Sequence, residues 1–147
     1  MRHSIAIALI CAGLVGCSKP DDVGPVCPSP DSGLFVHISN GLVFFDSGSA
    51  RLNQRAVAYL DRMEPAIWLK CVDRVDIIGH TDRSGSSADN LKLSLRRAET
   101  VRDALIARGA PKALFVVVRG VGEDDPLIPT ADGMAEPQNN FVEIIPQ

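Results

Sequence analysis

Aromatic residues are scarce: five Phe, one Tyr and one Trp make up 5% of the 147 residues. A base-stacking surface needs more rings than that, and a formal net charge of −3 leaves no basic stripe for a nucleic-acid partner. With 22% charged residues and neither sign in large excess, a disordered acidic chain is excluded as well. The sequence lacks H-E-x-x-H and any zinc-ligand cluster, and His37 and His80 do not have the local spacing of a metal pair. Neither a metal nor a cofactor is therefore expected, and no internal repeat is visible. What the chain does have is 46% hydrophobic residues, enough to bury one core at a length that fits one domain.

Hydrophobic runs are short. Behind Arg2 and His3, the apolar run Ile5 to Val15 covers eleven residues. At helical rise it spans roughly half of a ~30 Å hydrocarbon core, too little for a transmembrane helix and right for the apolar region of a secretory signal. Leu14-Val15-Gly16-Cys17 follows and resembles the lipobox of bacterial lipoproteins, where cleavage precedes the cysteine and its thiol takes a diacylglycerol. That chemistry needs small residues before the cut and a thiol as acyl acceptor. An ordinary signal peptide of the A-x-A type is the alternative. Residues 1–16 are thus expected to be a signal peptide and Cys17 a lipidation site, with membrane lipid as a partner. Ser18, rather than Asp, after the cysteine points by the sorting pattern of such lipoproteins to the outer membrane, facing the periplasm. Removal of residues 1–16 leaves 14 basic and 18 acidic residues.

Cysteines are few once secretion is granted. Cys11 leaves with the signal and Cys17 carries lipid, so Cys27 and Cys71 remain as a candidate disulfide in an oxidising compartment. A free Cys27 with a buried Cys71 is an equal alternative, because sequence gives no Cα separation. Residues 17–33 contain Pro20, Pro25, Pro28 and Pro30 and no periodicity, which reads as an extended linker.

From residue 34 onward the pattern is that of one domain. Leu34 to Ile38 and Leu42 to Phe45 are β-rich and separated by the turn-like Ser39-Asn40-Gly41. Asp46 to Ser49 reads as a loop. Leu52, Ala56, Leu60, Met63 and Ile67 recur at helical spacing, with a kink or break expected at Pro65. Val72 to Ile78 reads as a strand closed by Gly79, and Ser84 to Ser87 as a small-residue loop. A long amphipathic helix then runs to about Arg108, with Gly109 as its stop. Phe115 to Val118 and Phe141 to Ile145 are the last strands, on either side of an irregular segment, Asp124 to Gln138. One sheet with helices packed on it follows, parallel across the crossovers.

The junction after the middle strand carries the most specific signal. Gly79-His80-Thr81-Asp82 is followed by Gly85 and by Asn90-x-x-Leu93-Ser94-x-x-Arg97-Ala98. With Phe44-Phe45-Asp46 upstream, and Gly120-x-Gly122-Glu123, Gln138-Asn139 and Val142-Glu143-Ile144 downstream, this resembles the OmpA-like peptidoglycan-binding domain. The resemblance covers about residues 42–145. It implies an α+β fold, a β-α-β-α-β-β two-layer sandwich whose mixed sheet carries the helices. It also implies that Asp82 and Arg97 contact the free end of diaminopimelate in a peptidoglycan stem peptide. Many members carry two arginines after the asparagine before the last strand; here Asn140 and Phe141 stand there. Asn140 can donate a hydrogen bond but brings no charge, and one charge-assisted contact of ~1.5–3 kcal/mol is lost.

The residues themselves suit such a ligand. Stepping ~100° per residue from Asn90 puts Leu91, Ser94, Ala98, Val101 and Leu105 on a core stripe, and Lys92, Arg96, Glu99 and Asp103 toward solvent. Arg97 falls on the shoulder, from where it can reach along the rim toward Asp82. An acid opposite an arginine at a helix N-terminus can take both ends of a zwitterion, the arginine gripping a carboxylate with two parallel N–H donors. A plain Asp82–Arg97 salt bridge is the bland reading of the same pair. Asn90 is a further candidate contact, or it caps or orients the loop, while Ser94 is read as structural and Thr81 and Gly85 as shaping the turn. His80 reads as a packed or hydrogen-bonded histidine.

The expected function is that of a non-catalytic lipoprotein tethering the outer membrane to peptidoglycan. An envelope assembly subunit, using the fold for contacts with other envelope proteins, is the alternative. An enzyme acting on the wall is disfavoured, since Cys71 has no positioned base and Ser94 sits on a helix rather than a nucleophile elbow.

Overall fold

The computed structural model describes residues 40–63 and 72–147. The proposed signal peptide, Cys17, the linker, the segment Leu34 to Ile38, Pro65 and both members of the Cys27–Cys71 pair lie outside the described residues. Within them the chain runs β1 (Gly41–Phe44), α1 (Gln54–Arg62), β2 (Val75–His80), α2 (Ser87–Ala107), β3 (Phe115–Gly122) and β4 (Phe141–Pro146). This is the expected α+β order.

Local chemistry starts and stops the helices where they are. Asn53 caps α1, its side chain accepting from the Ala56 N–H at 2.9 Å, and Ala56 and Leu60 face the core. Ser86 caps α2, its hydroxyl accepting from the Asp89 N–H at 3.2 Å, with the acid of Asp89 in the first turn. Gly109, at φ 97, ends α2 in the left-handed conformation that only glycine adopts freely.

The strands form one sheet in the order β1-β4-β2-β3. β2 and β3 are parallel, joined by the α2 crossover, while β4 lies between β1 and β2 and runs antiparallel to both. Strand alternation sends Val43, Val75, Ile77, Val142 and Ile144 to one face, where they meet Ala56 and Leu60 of α1 and Ala98, Val101 and Leu105 of α2. Both helices therefore cover the same face.

β2 does not close at Gly79. The strand continues through it to His80, and Gly79 lacks a side chain for a different reason: a Cβ there would overlap the carbonyl of Ser94. A Cβ on Gly120 of β3 would likewise overlap Ser94 and the backbone of Leu95. Two glycines on neighbouring strands thus let the backbone of α2 settle directly on the sheet. The Ser94 hydroxyl uses this proximity to accept from the Gly122 N–H at 2.9 Å while donating to the Leu91 carbonyl.

The buried stripe of α2 is Asn90, Ser94, Arg97, Ala98, Val101 and Leu105. It is rotated from the expected stripe: Leu91 is 52% exposed, and Arg97 belongs to the core face rather than its shoulder.

Candidate functional site

Three parts of the chain converge at the end of the sheet where β1 and β2 finish: the loop after β1, the turn after β2 and the segment entering β4. Arg97 reaches them from α2. Its side chain is 0% exposed, so the rim position expected for it is replaced by complete burial. Bringing a guanidinium inside requires that its donors be matched. Nε donates to the Ser49 carbonyl at 2.7 Å and Nη2 to the Asp46 carbonyl at 3.0 Å. Nη1 donates to the His80 carbonyl at 2.8 Å and to Asn140 Oδ1 at 2.9 Å. Below it the Phe45 ring lies 5.4 Å from the guanidinium carbon. Four of five N–H groups are committed, which leaves one on Nη2. Burial pulls the Arg97 pKa down to about 10, opposed by the negative charge of Asp82, so the group remains a cation at neutral pH.

Asp82 sits two residues beyond the end of β2 and is 3% exposed. Burial pushes its carboxyl up. Hydrogen bonds from the Ser84 hydroxyl, from Asn140 and from the backbone at Ser84 and Glu136 outweigh that and hold it below the usual carboxylate value. The Ser84 N–H donates to Oδ1 at 3.1 Å, and the Ser84 hydroxyl makes a very short bond to the same oxygen.

Asp82 and Arg97 do not pair directly; no ion pair among the described residues joins them. Asn140 stands between. Its Nδ2 donates to Asp82 Oδ2 at 2.7 Å, while its Oδ1 accepts from Arg97 and, at 3.3 Å, from the Asp82 N–H. A carboxamide suits this place because it offers a donor to the anion and an acceptor to the cation from one rigid group. The plain salt bridge is thus replaced by a buried acid–amide–guanidinium chain, with Asn140 only 1% exposed. The Asn140 carboxamide occupies the space between the charges.

Asn90 is 6% exposed and braces the turn. Its Nδ2 donates to the Ser84 carbonyl at 3.0 Å and to Glu123 Oε2 at 2.7 Å, and lies 3.3 Å from the Asp82 carbonyl. Ser87 and Asn90 together hold the Glu123 carboxyl below its usual value. Ser86, not Asn90, caps α2. The four candidate residues Asp82, Asn90, Arg97 and Asn140 are therefore gathered in one buried network.

Sequence reasoning missed the acceptors. The carbonyls of Asp46 and Ser49 lie about fifty positions before Arg97, and backbone groups leave no trace in side-chain pattern. Thr81, expected to shape the turn, is 2% exposed, and its hydroxyl has no hydrogen-bond partner among the described residues. No group of three or more His, Cys, Asp or Glu among the described residues is arranged to hold a metal.

A family model described as the OmpA family matches residues 44–140. An outer membrane protein of Gluconacetobacter diazotrophicus is 36% identical over 110 residues, which are 71% of this chain and 29% of that protein. A peptidoglycan-associated lipoprotein of Rhizobium meliloti is 33% identical over 124 residues, covering 75% of this chain and 69% of that protein. The crystal structure of the peptidoglycan-associated lipoprotein from Burkholderia pseudomallei superposes with a TM-score of 0.62 at 30% identity, over 72% of this chain and 89% of that one. This chain spans under a third of the Gluconacetobacter protein and most of the lipoproteins.

Proposed function

The chain belongs to the OmpA family, and on that footing we propose that it binds the diaminopimelate end of a peptidoglycan stem peptide without catalysis. The proposal includes a lipid anchor on Cys17, after removal of residues 1–16, that tethers the outer membrane to the wall. Among the described residues no helix is long and apolar enough to cross a membrane. Two or three acyl chains, at ~0.8 kcal/mol per buried CH₂, suffice for a stable hold on a bilayer.

One observation carries the reading: two opposite charges are kept ionised, buried and separated by a single carboxamide at the end of β2. Ser84, Asn140 and the backbone at Glu136 keep Asp82 ionised, and its buried negative charge attracts an ammonium. Arg97 keeps one Nη2 hydrogen for a carboxylate. A free amino-acid head group matches both, with its ammonium toward Asp82 and its carboxylate toward Arg97. Asn90 acts through the turn by holding the Asp82–Ser84 backbone, and Asn140 sets the distance between the charges.

A pull-down on purified sacculi tests this. The native chain is retained, and Asp82→Asn is released while its thermal unfolding remains cooperative. Equal retention of a folded Asp82→Asn variant refutes the site. The second reading, a subunit that uses the fold for contacts with other envelope proteins, draws support from how completely Arg97 is matched by this chain's own carbonyls. Retention on sacculi that is indifferent to Asp82, together with a stoichiometric protein cross-link in cells, would favour it. The Cys27–Cys71 disulfide belongs to the proposal too; two free thiols in the denatured mature protein would remove it.

A further inference from the structure

The helices cover one face of the sheet, and the opposite face holds a separate feature. His80 projects there from β2, 3% exposed, with its ring stacked on Phe141 of β4 at 4.2 Å and 10°. Among the described residues neither ring nitrogen has a hydrogen-bond partner. A buried imidazole normally finds one; the backbone at Asp124 and Asp125 lies near the ring but outside hydrogen-bond geometry, which leaves the ring capacity for a further group. It lines a cavity of about 340 Å³, near the small end of ligand pockets. Leu42, Leu127 and Phe141 supply apolar wall, and Glu143 and Asp125 supply carboxylates, while among the described residues no lysine or arginine borders the cavity. One oxygen of Glu143 accepts from Asn40 at 2.8 Å, which leaves the other open.

We propose that this cavity binds a primary ammonium group on an unbranched aliphatic stem, the chemistry shared by a small alkylamine and a lysine side chain. An ammonium carries three donors. One goes to the unprotonated imidazole nitrogen of His80 and one to the free oxygen of Glu143, with the charge of Asp125 nearby. Its positive charge answers two acids that have no cation of their own in the cavity, and its methylenes lie along Leu42, Leu127 and the Phe141 ring. Burial holds the His80 pKa down, against the opposing pull of Glu143 and the backbone at Asp124 and Asp125, so the ring is a neutral acceptor at pH 7. An alcohol of the same length brings one donor and no charge, and a carboxylate is repelled. The cavity lies on the other face of the sheet from the Asp82–Arg97 network, although Arg97 bonds the His80 carbonyl, and the proposal stands whether or not the chain binds peptidoglycan.

Titration of the full chain, with ¹⁵N-labelled histidine, reads the site directly, the His80 signals being identified by their loss in His80→Gln. n-Butylammonium at pH 7.5 shifts them saturably with a midpoint of about 1–10 mM, the range for a fragment of this size. n-Butanol, with the same number of heavy atoms, leaves them in place. Glu143→Gln keeps the acceptor for Asn40 and weakens butylammonium binding about tenfold, the loss of one charge-assisted contact. Nα-acetyl-lysine N-methylamide distinguishes the sources: binding equal to butylammonium assigns the cavity to a lysine of a protein partner, and binding by butylammonium alone assigns it to a free amine. Shifts reproduced by butanol, unchanged affinity in Glu143→Gln, or no saturation by either amine overturns the proposal.

Discussion

Replacing Asn140 by alanine tests whether one neutral side chain holds the two buried charges. The substitution removes a 2.7 Å donation to Asp82 and a 2.9 Å acceptance from Arg97, together with a weaker bond from the Asp82 N–H. Each of the first two is charge-assisted and contributes ~1.5–3 kcal/mol, the third about 1. Water entering the space left by the carboxamide recovers part of that sum. The expected destabilisation at pH 7 is about 2–4 kcal/mol, measured by urea unfolding followed by circular dichroism. A second signature separates this cause from a packing defect. The Asp82 carboxyl sits below its usual 3.8 partly because Asn140 donates to it, so the truncation raises its pKa. A lowered carboxyl stabilises the fold above its unfolded pKa and loses that contribution as pH falls through the folded one. The difference between native and variant proteins is therefore largest at neutral pH and narrows below about pH 4. A loss under ~1 kcal/mol at pH 7, or a gap of constant size down to pH 3, refutes the reasoning.

Three other outcomes are expected. Folded-state burial keeps the His80 pKa below 6.5, so the unfolded chain takes up this proton first as pH drops. Stability from the neutral ring is complete above pH 6.5 and declines below it, and His80→Phe, which can still stack on Phe141, flattens unfolding curves compared at pH 7 and pH 5. Gly79→Ala drives a methyl group into the Ser94 carbonyl, so a thermal melt shows a loss of at least ~3 kcal/mol or no folded protein, and a melt within a degree of native contradicts the direct seating of α2. On the proposed binding mode, amidating the diaminopimelate carboxylate weakens binding about tenfold in calorimetry; equal heats for the acid and the amide remove Arg97 from the contact.

Much of this was legible in residues that act on near neighbours. Asn53, Ser86 and Gly109 bound the helices by local hydrogen bonds and a left-handed backbone, and the alternation in β4 gives its inner face directly. Gly79 misled because glycine in a strand pattern reads as a stop, whereas here the missing side chain matters to Ser94 of the next helix, fifteen residues later. Leu91 misled for a related reason: hydrophobicity placed it inward, but the stripe is centred on Asn90, Ser94 and Arg97, polar residues whose partners lie on other elements. The helical angle puts Arg97 on the shoulder, reaching along the rim, whereas it lies in the buried stripe. Its burial depends on the carbonyls of a loop far away in sequence, on the His80 carbonyl and on Asn140. Asn140 looked like a weak stand-in for a cation, because a single sequence does not reveal that its amide faces an anion on one side and a cation on the other. The insertion of β4 between β1 and β2 is likewise a non-local choice that periodicity leaves open.

The direction of β1 has a mechanical consequence. β1 begins at Gly41, and its far end leads into the Asp46 carbonyl gripped by Arg97. Because β4 is antiparallel to both β1 and β2, the last residues of β1 and β2 lie at the same edge of the domain, opposite Gly41. Tension entering at Gly41 and leaving through Asp82 thus pulls lengthwise along the strands. Under such loading the rungs between β1 and β4 strain together, as in a lap joint, instead of parting one after another like a zip. A four-residue strand can then resist more force than its length suggests.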